Sequence, residues 1–456
     1  MTADTGGTMR TRVSLLVSGR PGRTIAGAFV AGIVTGTALL SLPVATTPGN
    51  RASLVEALFT ATSALCVTGH VVVDTPTFWS PFGHVVILLL IQIGGFGVMS
   101  LATLLGLLVA RRLGLRTRLT AVSESHSVGI GDVRRVLRGV ALITLTCETL
   151  IALVLTLRWF VGYGVDLPRA VWLGVFHAIS SFNNAGFALF SDSLISFATD
   201  PWICLPICAG VILGGLGFPV LMELRQRIAV PRRWTLNTVT VIAGTALLLV
   251  VGAVVLTALE WTNPDTLGPM APADRLLSGF TAAVMPRTAG FNNLDIAAMQ
   301  PASWLVTDIL MFIGGGPAGT AGGLKITTFA VLFFIVVAEL RGDSAVNMFG
   351  KRLPRSAHRE ALTVALLAVA LVIASTLTIM VISGLDFDRV LFEVISAFAT
   401  VGLSTGITAS LPPAAQVVLI LLMFVGRLGP VALGSALALT RTTRFYELPK
   451  ERPIIG

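Results

Sequence analysis

The chain is short of charge. Only 12% of its 456 residues are Asp, Glu, Lys or Arg, against roughly 25% in a soluble domain. Hydrophobic residues make up 54%, and the mean hydropathy is +0.86. That balance excludes a soluble globular protein and describes a polytopic membrane protein. Cysteine is scarce too. Cys66, Cys147, Cys204 and Cys208 lie in or beside apolar runs. They form no metal-ligand pattern with histidine and indicate no disulfide framework. Cys66 reads as a small packing residue. His84, His126, His177 and His358 share no ligand spacing. The spans hold no nucleophile with a paired base, which excludes an enzyme. No nucleotide-binding motif and no sign of an organic cofactor occurs anywhere in the chain.

Repetition is what the chain has in quantity. A compact segment recurs four times, anchored by Gly69, Gly186, Gly290 and Gly402. Ten residues before each glycine stands a phenylalanine: Phe59, Phe176, Phe280 and Phe392. Apolar runs long enough to cross a bilayer flank every copy. Each unit reads as span, short helix, glycine turn, span. A short helix that stops halfway cannot face lipid, because its open backbone groups would have no partners. Four such turns around one axis describe an ion filter built from backbone carbonyls. Glycine lets consecutive carbonyls point inward and keeps the wall thin. The expected fold is an all-α membrane protein, four parallel M1–P-loop–M2 repeats around a pseudo-fourfold ion pore.

Taken in order, a polar segment 1–24 precedes the first span, 25–42. No small-residue cleavage site follows that span, so it reads as retained. The other spans are expected at 85–110, 140–160, 202–224, 236–259, 304–340, 361–382 and 414–439. Ser53 and Glu56 form a candidate capping box for the first short helix. The units occupy 25–112, 134–229, 236–340 and 357–440, with a tail at 441–456. The net charge of +9 is spread unevenly. Arg111, Arg112, Arg134, Arg225, Arg233, Arg341, Arg355 and Arg441 sit at the ends of the units or in the stretches between and after them. Asp74, Asp166, Asp192, Asp265, Asp295 and Asp386 sit in the segments of the short helices. The arginine bias puts both termini and the inter-repeat loops in the cytoplasm of a cell-membrane protein, with the filter turns open to the outside. The positive charge therefore points to topology and membrane lipid, and to no nucleic acid.

A second signature lies in the later span of each unit. Gly94-Gly95, Gly214-Gly215 and Gly314-Gly315 begin 25, 28 and 24 residues after their turn glycines, and Gly426-Arg427 begins 24 after the last. Arg427 thus replaces a glycine of the other three units. A lone arginine in a span needs water or a partner, and a position facing the pore below the filter supplies both. The apolar region 304–340 would reach about 55 Å as one helix, against a hydrocarbon core of roughly 30 Å. It is interrupted by Gly314, Gly315, Gly316, Pro317, Ala318, Gly319, Thr320, Ala321, Gly322 and Gly323. That run reads as a mobile intramembrane loop, a gate assisted by Arg427. Lys325 either belongs to this gate or snorkels to water.

The expected filter residues are Val67, Thr68 and Gly69; Asn184, Ala185 and Gly186; Thr288, Ala289 and Gly290; and Thr400, Val401 and Gly402. Asn183, Asn184, Asn292 and Asn293 are expected to brace the turns by side-chain hydrogen bonds. His70 either titrates at the pore mouth or stands at the surface without a role. A secondary cation transporter with re-entrant loops is the competing reading. All four units share one orientation, which favours a pore. A scaffold or receptor without flux would leave four aligned glycine turns unexplained.

The motifs are Thr62–Gly69, Ser181-Phe182-Asn183-Asn184-Ala185-Gly186-Phe187, Arg287-Thr288-Ala289-Gly290-Phe291-Asn292 and Thr400-Val401-Gly402-Leu403-Ser404-Thr405-Gly406, with 314–325 as a gating loop. Together with Phe424-Val425-Gly426-Arg427-Leu428-Gly429-Pro430, they closely resemble the potassium transporter superfamily that includes bacterial KtrB, TrkH and plant HKT proteins. The resemblance covers nearly the whole chain. With only 24 residues ahead of the first span, the chain resembles the KtrB branch. That resemblance implies K+ as the transported ion, held by the backbone carbonyls of Thr68, Gly69, Asn184, Gly186, Thr288, Gly290, Thr400 and Gly402. It further implies Na+ as an activator, a homodimer with one pore per protomer, and a cytosolic KtrA-like ring binding ATP or ADP. A Na+-permeable or K+/Na+-cotransporting member of the same superfamily is the alternative. His70 stands where the family usually has an aliphatic residue, and Pro317 and Ala321 interrupt the family's loop pattern.

Overall fold

The computed structural model describes residues 21–117 and 130–439. Within them one three-part unit is built four times. The first unit is α1 (Pro21–Leu40), the short α2 (Leu54–Leu65) and α3 (Pro81–Thr117). The second is α4 (Ile130–Leu157), the short α5 (Leu167–Phe182), and α6 (Pro201–Leu216) followed by α7 (Phe218–Arg227). The third is α8 (Leu236–Glu260), the short α9 (Pro272–Val284), and the halves α10 (Pro301–Phe312) and α11 (Ile326–Arg341). A hairpin of β1 (Asn347–Met348) and β2 (Lys351–Arg352) leads on to the fourth unit. That unit is α12 (Arg355–Ser383), the short α13 (Phe387–Phe398) and α14 (Pro413–Leu439). Residues 1–20 and 441–456 of the expected cytoplasmic ends, Arg118 and His126 lie outside the described residues.

Length and composition explain the outer helices. Pro81–Ser100, Val136–Gly162, Leu236–Glu260 and Arg355–Ser383 are long and apolar enough to cross a bilayer. Ala26–Leu40, Pro301–Phe312 and Pro413–Gly429 are shorter apolar helices at the remaining corners. Large apolar side chains stay exposed along single helix faces: Leu247, Val250 and Val254 on α8, and Leu366, Ile373 and Leu377 on α12. A stripe with that spacing needs an apolar neighbour, and lipid tails supply it. The protein is a multi-pass membrane protein.

Local chemistry starts each short helix. Ser53 caps α2 through the Glu56 amide, while the Glu56 carboxylate accepts from the Ser53 amide at 2.7 Å, a full capping box. Asp166 accepts from the Arg169 amide to start α5. Pro272 opens α9, where a missing amide hydrogen costs least. The repeated phenylalanines explain why these helices point inward. Phe59, Phe176 and Phe392 are fully buried, and Phe280 is half-buried.

The later helix of each unit lies on the short helix of the next: α3 on α5, α6 on α9, α10 on α13, and α14 back on α2. The four units thereby close a ring in chain order. One expectation needs correction here. The span expected at 202–224 is not one continuous helix, because α6 and α7 meet at a bend of 99°. Gly217 makes the corner with φ 89, and Pro219 follows in the first turn of α7. The bend leaves backbone groups that segment 313–325 of the third unit fills. That segment is the non-helical stretch between α10 and α11.

Candidate functional site

The four short helices end at one place. After their last turns the backbone crosses to positive φ at Val67, Asn184, Thr288 and Thr400, and again two residues later at Gly69, Gly186, Gly290 and Gly402. Alternating handedness lets successive carbonyls turn toward one side, whereas a regular strand alternates them. The triplets Val67-Thr68-Gly69, Asn184-Ala185-Gly186, Thr288-Ala289-Gly290 and Thr400-Val401-Gly402 then abut in order. Gly69 lies against the Ala185 carbonyl, Gly186 against that of Ala289, Gly290 against that of Val401, and Gly402 against that of Thr68. A Cβ on any of these glycines would come closer than 3.0 Å to the neighbouring carbonyl oxygen. The contacts form a closed cycle of four. The short helices point their C-terminal ends at this ring, and their dipoles place partial negative charge there.

Serines the sequence reading passed over hold the turns. The amides of Thr68, Ala185 and Val401 donate to the carbonyls of Ser63, Ser180 and Ser396 at 2.8, 2.7 and 2.8 Å. The Ser63 and Ser396 hydroxyls accept from Gly69 and Gly402 at 3.1 Å each. The Ser180 hydroxyl donates to the Phe187 carbonyl at 2.7 Å. A serine six residues before the glycine was the signal, present in three units. The third unit has Val284 there, and its Ala289 amide donates to the Met285 carbonyl instead.

The asparagines brace. Asn184 Nδ2 donates to the Arg287 carbonyl at 3.1 Å, joining the second and third turns. Asn293 Nδ2 donates to the Ser278 carbonyl at 3.0 Å. Asn292 Nδ2 donates to Leu294 at 3.3 Å. Asn183 Nδ2 donates to Glu148 Oε1 at 3.0 Å. Glu148 belongs to a set of buried carboxylates, with Glu260 and Glu393, that the sequence reading missed. An acid inside or beside an apolar run was the available signal. Glu260 accepts from Asn263, Thr266 and the Gln300 amide. His70 does not stand at the surface: it is fully buried, behind the turn it follows.

On the other side of the ring lies segment 313–325. It is held by backbone bonds to the bend of the second unit. The Gly316 amide donates to Gly215 at 2.8 Å, Thr320 to Gly214 at 3.2 Å, and Phe218 donates back to Ala318 at 3.2 Å. Within the loop Gly314 donates to the Leu324 carbonyl at 2.8 Å, and half-buried Lys325 donates to the Ala321 carbonyl. Upward contacts reach the ring. Thr320 Oγ1 donates to Asn184 Oδ1 at 2.9 Å. Gly322 lies against the Thr400 hydroxyl, and Gly323 against Ala399. Arg427 is buried and donates Nη1 to the Thr320 carbonyl, while its Nε and Nη2 have no partner. Arg287, also buried, donates to the Gly314 carbonyl at 3.3 Å. Two guanidinium groups thus share one loop directly beneath the four turns, and neither meets a carboxylate among the described residues.

The second glycine signature gains a reason. Gly94, Gly214 and Gly426 lie against the carbonyls of Leu65, Phe182 and Phe398, the last residues of their units' short helices. A side chain there would push the outer helix off the ring. Gly314 instead lies against the Gly322 carbonyl inside the loop.

Comparison with known proteins agrees with this architecture. Residues 30–442 match the family described as TrkH, cation transport protein. The chain is 38% identical over 411 residues to the Ktr system potassium uptake protein B of Bacillus subtilis, covering 90% of this chain and 91% of that one. It is 35% identical to the protein of the same name from Vibrio alginolyticus, covering 95% and 94%. It is 33% identical to the potassium/sodium uptake protein NtpJ of Enterococcus hirae, covering 98% and 99%. The fold is similar to the crystal structure of the potassium transporter TrkH from Vibrio parahaemolyticus. The TM-score is 0.69 at 18% identity, over 91% of this chain and 85% of that one.

Proposed function

We propose that this chain, which belongs to the TrkH family of cation transport proteins, takes up K+ through a channel-like pore at the centre of its four units. The observation that carries the reading is the closed cycle of Gly69, Gly186, Gly290 and Gly402, each against the next unit's carbonyl. A ring of carbonyls replaces the hydration shell of a cation. K+ would pass the carbonyls of Thr68, Gly69, Asn184, Gly186, Thr288, Gly290, Thr400 and Gly402. Segment 314–323, with Lys325 and Arg427, is the gate in this reading. The guanidinium groups repel a cation from below while the loop is docked, and withdrawing the loop clears the path. The names of two similar proteins, potassium uptake protein B of a Ktr system, support K+ as the ion. A homodimer on a cytosolic nucleotide-binding ring and Na+ as an activator belong to this reading through the resemblance to the KtrB branch alone. Both termini and the arginine-rich loops lie in the cytoplasm of a cell membrane.

Purified protein in liposomes, given K+ and Na+ at equal driving force, tests the proposal. K+ flux exceeding Na+ flux is the expected result, and equal fluxes would overturn it. A pore that takes up both ions is the second reading, favoured by the likeness to a protein named for potassium and sodium uptake. Na+ flux matching K+ flux in the same experiment is its signature.

A further inference from the structure

The residue after each ring glycine occupies the same place in all four units. It is Phe187, Phe291 and Leu403 in three of them, and His70 in the first. The residue nine before each glycine is Thr60, His177, Thr281 or Glu393. At two seams of the ring the first position of one unit meets the second position of the unit before it. At the seam of the second and third units this contact is aromatic. His177 stacks on Phe291 with centroids 6.3 Å apart. Both His177 nitrogens are satisfied within its own unit, by the Leu173 carbonyl at 2.8 Å and the Leu189 amide at 3.4 Å.

At the seam of the first and fourth units the contact is polar. His70 Nδ1 lies 3.5 Å from Glu393 Oε2 and 3.5 Å from Thr408 Oγ1. His70 Nε2 has no partner. Both side chains are fully buried. Glu393 is held in turn by the Ser404 hydroxyl at 2.6 Å, the Thr405 amide at 2.9 Å and the Thr408 hydroxyl at 2.7 Å. On the other side, the His70 carbonyl accepts from Ser63, whose hydroxyl also holds the Gly69 amide. One connected set of bonds therefore runs from Gly69 to the loop behind Gly402. These are the two glycines that meet across this seam, the Gly69 backbone 2.9 Å from where a Cβ of Gly402 would stand.

This seam differs from the others in a further way. Units one and two, two and three, and three and four are joined by the chain itself. Units four and one have no chain link and are joined only by non-covalent contacts, and the ring must close there. A carbonyl ring that discriminates between two alkali ions by cavity size must resist shrinking around the smaller. Its weakest joint then sets the limit. Buried hydrogen bonds stiffen the groups they join as far as those groups are satisfied, and both oxygens of Glu393 are.

We infer that His70 and Glu393 form a positioning pair that fastens the filter ring where its first and last units meet, and that this fastening sets how strongly K+ is preferred over Na+. The inference rests on the K+ pore proposed above. His70 touches no ion; it acts through the backbone of Gly69.

The test uses full-length protein in liposomes, with K+ and Na+ fluxes at equal driving force and folding followed by size exclusion and thermal denaturation in detergent. His70→Leu installs the side chain of the equivalent fourth-unit position. It should lower the K+/Na+ flux ratio about fivefold or more, the effect of roughly one lost network bond, while K+ still flows. His70→Asn, whose amide reaches the place of Nδ1, should restore most of the ratio. Thr408→Val removes one hydroxyl and should lower the ratio in the same direction. A pure packing role would move thermal stability in His70→Leu and leave the ratio alone, and that outcome overturns the inference. Should His70→Leu fail to fold, Thr408→Val and Glu393→Gln decide, and an unchanged ratio in both overturns it equally. Absence of K+ flux in the unaltered protein would sink the pore reading and this role together. Selective flux insensitive to all four variants would sink this role alone.

Discussion

Gly290 shows how little room single residues have in this site. Its φ of 75 lies in the left-handed region, and the Val401 carbonyl occupies the space a Cβ would need. Alanine would be strained by about 1 kcal/mol or more, and it would displace an oxygen of the proposed filter. Gly290→Ala should therefore cut K+ flux at least about tenfold in liposomes while the protein still elutes as a folded species. Near-normal flux would mean that the ring is not the ion path. Gly69→Ser combines the same strain with a clash against the Ala185 carbonyl, and it should lower the K+/Na+ flux ratio. The residues around the turns were legible to different degrees. A repeated glycine declares itself in a sequence. The serines six residues earlier are equally regular, yet serine is common and its partner is a backbone amide that only the folded turn brings near. Glu148 and Glu393 were visible as acids in apolar surroundings, but not which donors would satisfy them.

Segment 313–325 is the element on which regulation would turn. It has no helix of its own, and its backbone groups are satisfied by the corner between α6 and α7, by Arg427 and by Arg287. α7 leads from that corner to Arg225, Arg227 and the turn at Arg232 and Arg233, so a pull on α7 would reach the loop through Gly217 and Phe218. Gly217 has φ 89 and lies against the Pro317 carbonyl, so Gly217→Ala should undock the loop. Arg427→Ala removes the donor to Thr320 and the buried charge beneath the ring. In folded protein both variants should raise basal K+ flux several-fold and weaken its dependence on a cytosolic partner. Wild-type basal flux and regulation in both would show that this loop is no gate. The break in the sixth span was readable because 304–340 is too long for one crossing. The bend in the fourth was not. Its glycines looked like those of the other units, and the loop that fills the bend lies about one hundred residues away in sequence, at Gly316–Thr320.

For the whole molecule, orientation in the membrane is the property most open to measurement. Cys66, Cys204 and Cys208 are buried and Cys147 is half-buried, so native thiols give little background. In right-side-out vesicles, Ser344→Cys between α11 and β1 should resist a membrane-impermeant maleimide until the bilayer is permeabilised. Asp265→Cys between α8 and α9 should react at once. Labelling in the reverse order would invert the proposed topology and put the filter turns on the wrong side.

The sequence by itself determined the membrane, the four parallel units and the places where each chain segment must turn inward. Those follow from local quantities: hydropathy over a span length, glycine at a repeated offset, arginine on one side. Tertiary structure alone decided the order in which the units touch and the closure of α14 onto α2. It also decided the docking of the glycine-rich loop into the 99° corner and the meeting of His70 with Glu393. Each of these joins groups far apart in the chain, 323 residues in the last case, and the last two depend on which buried polar groups find partners there. Periodicity carries no trace of that choice. It is settled only when the four units close around one axis and every donor near the ring must find an acceptor there.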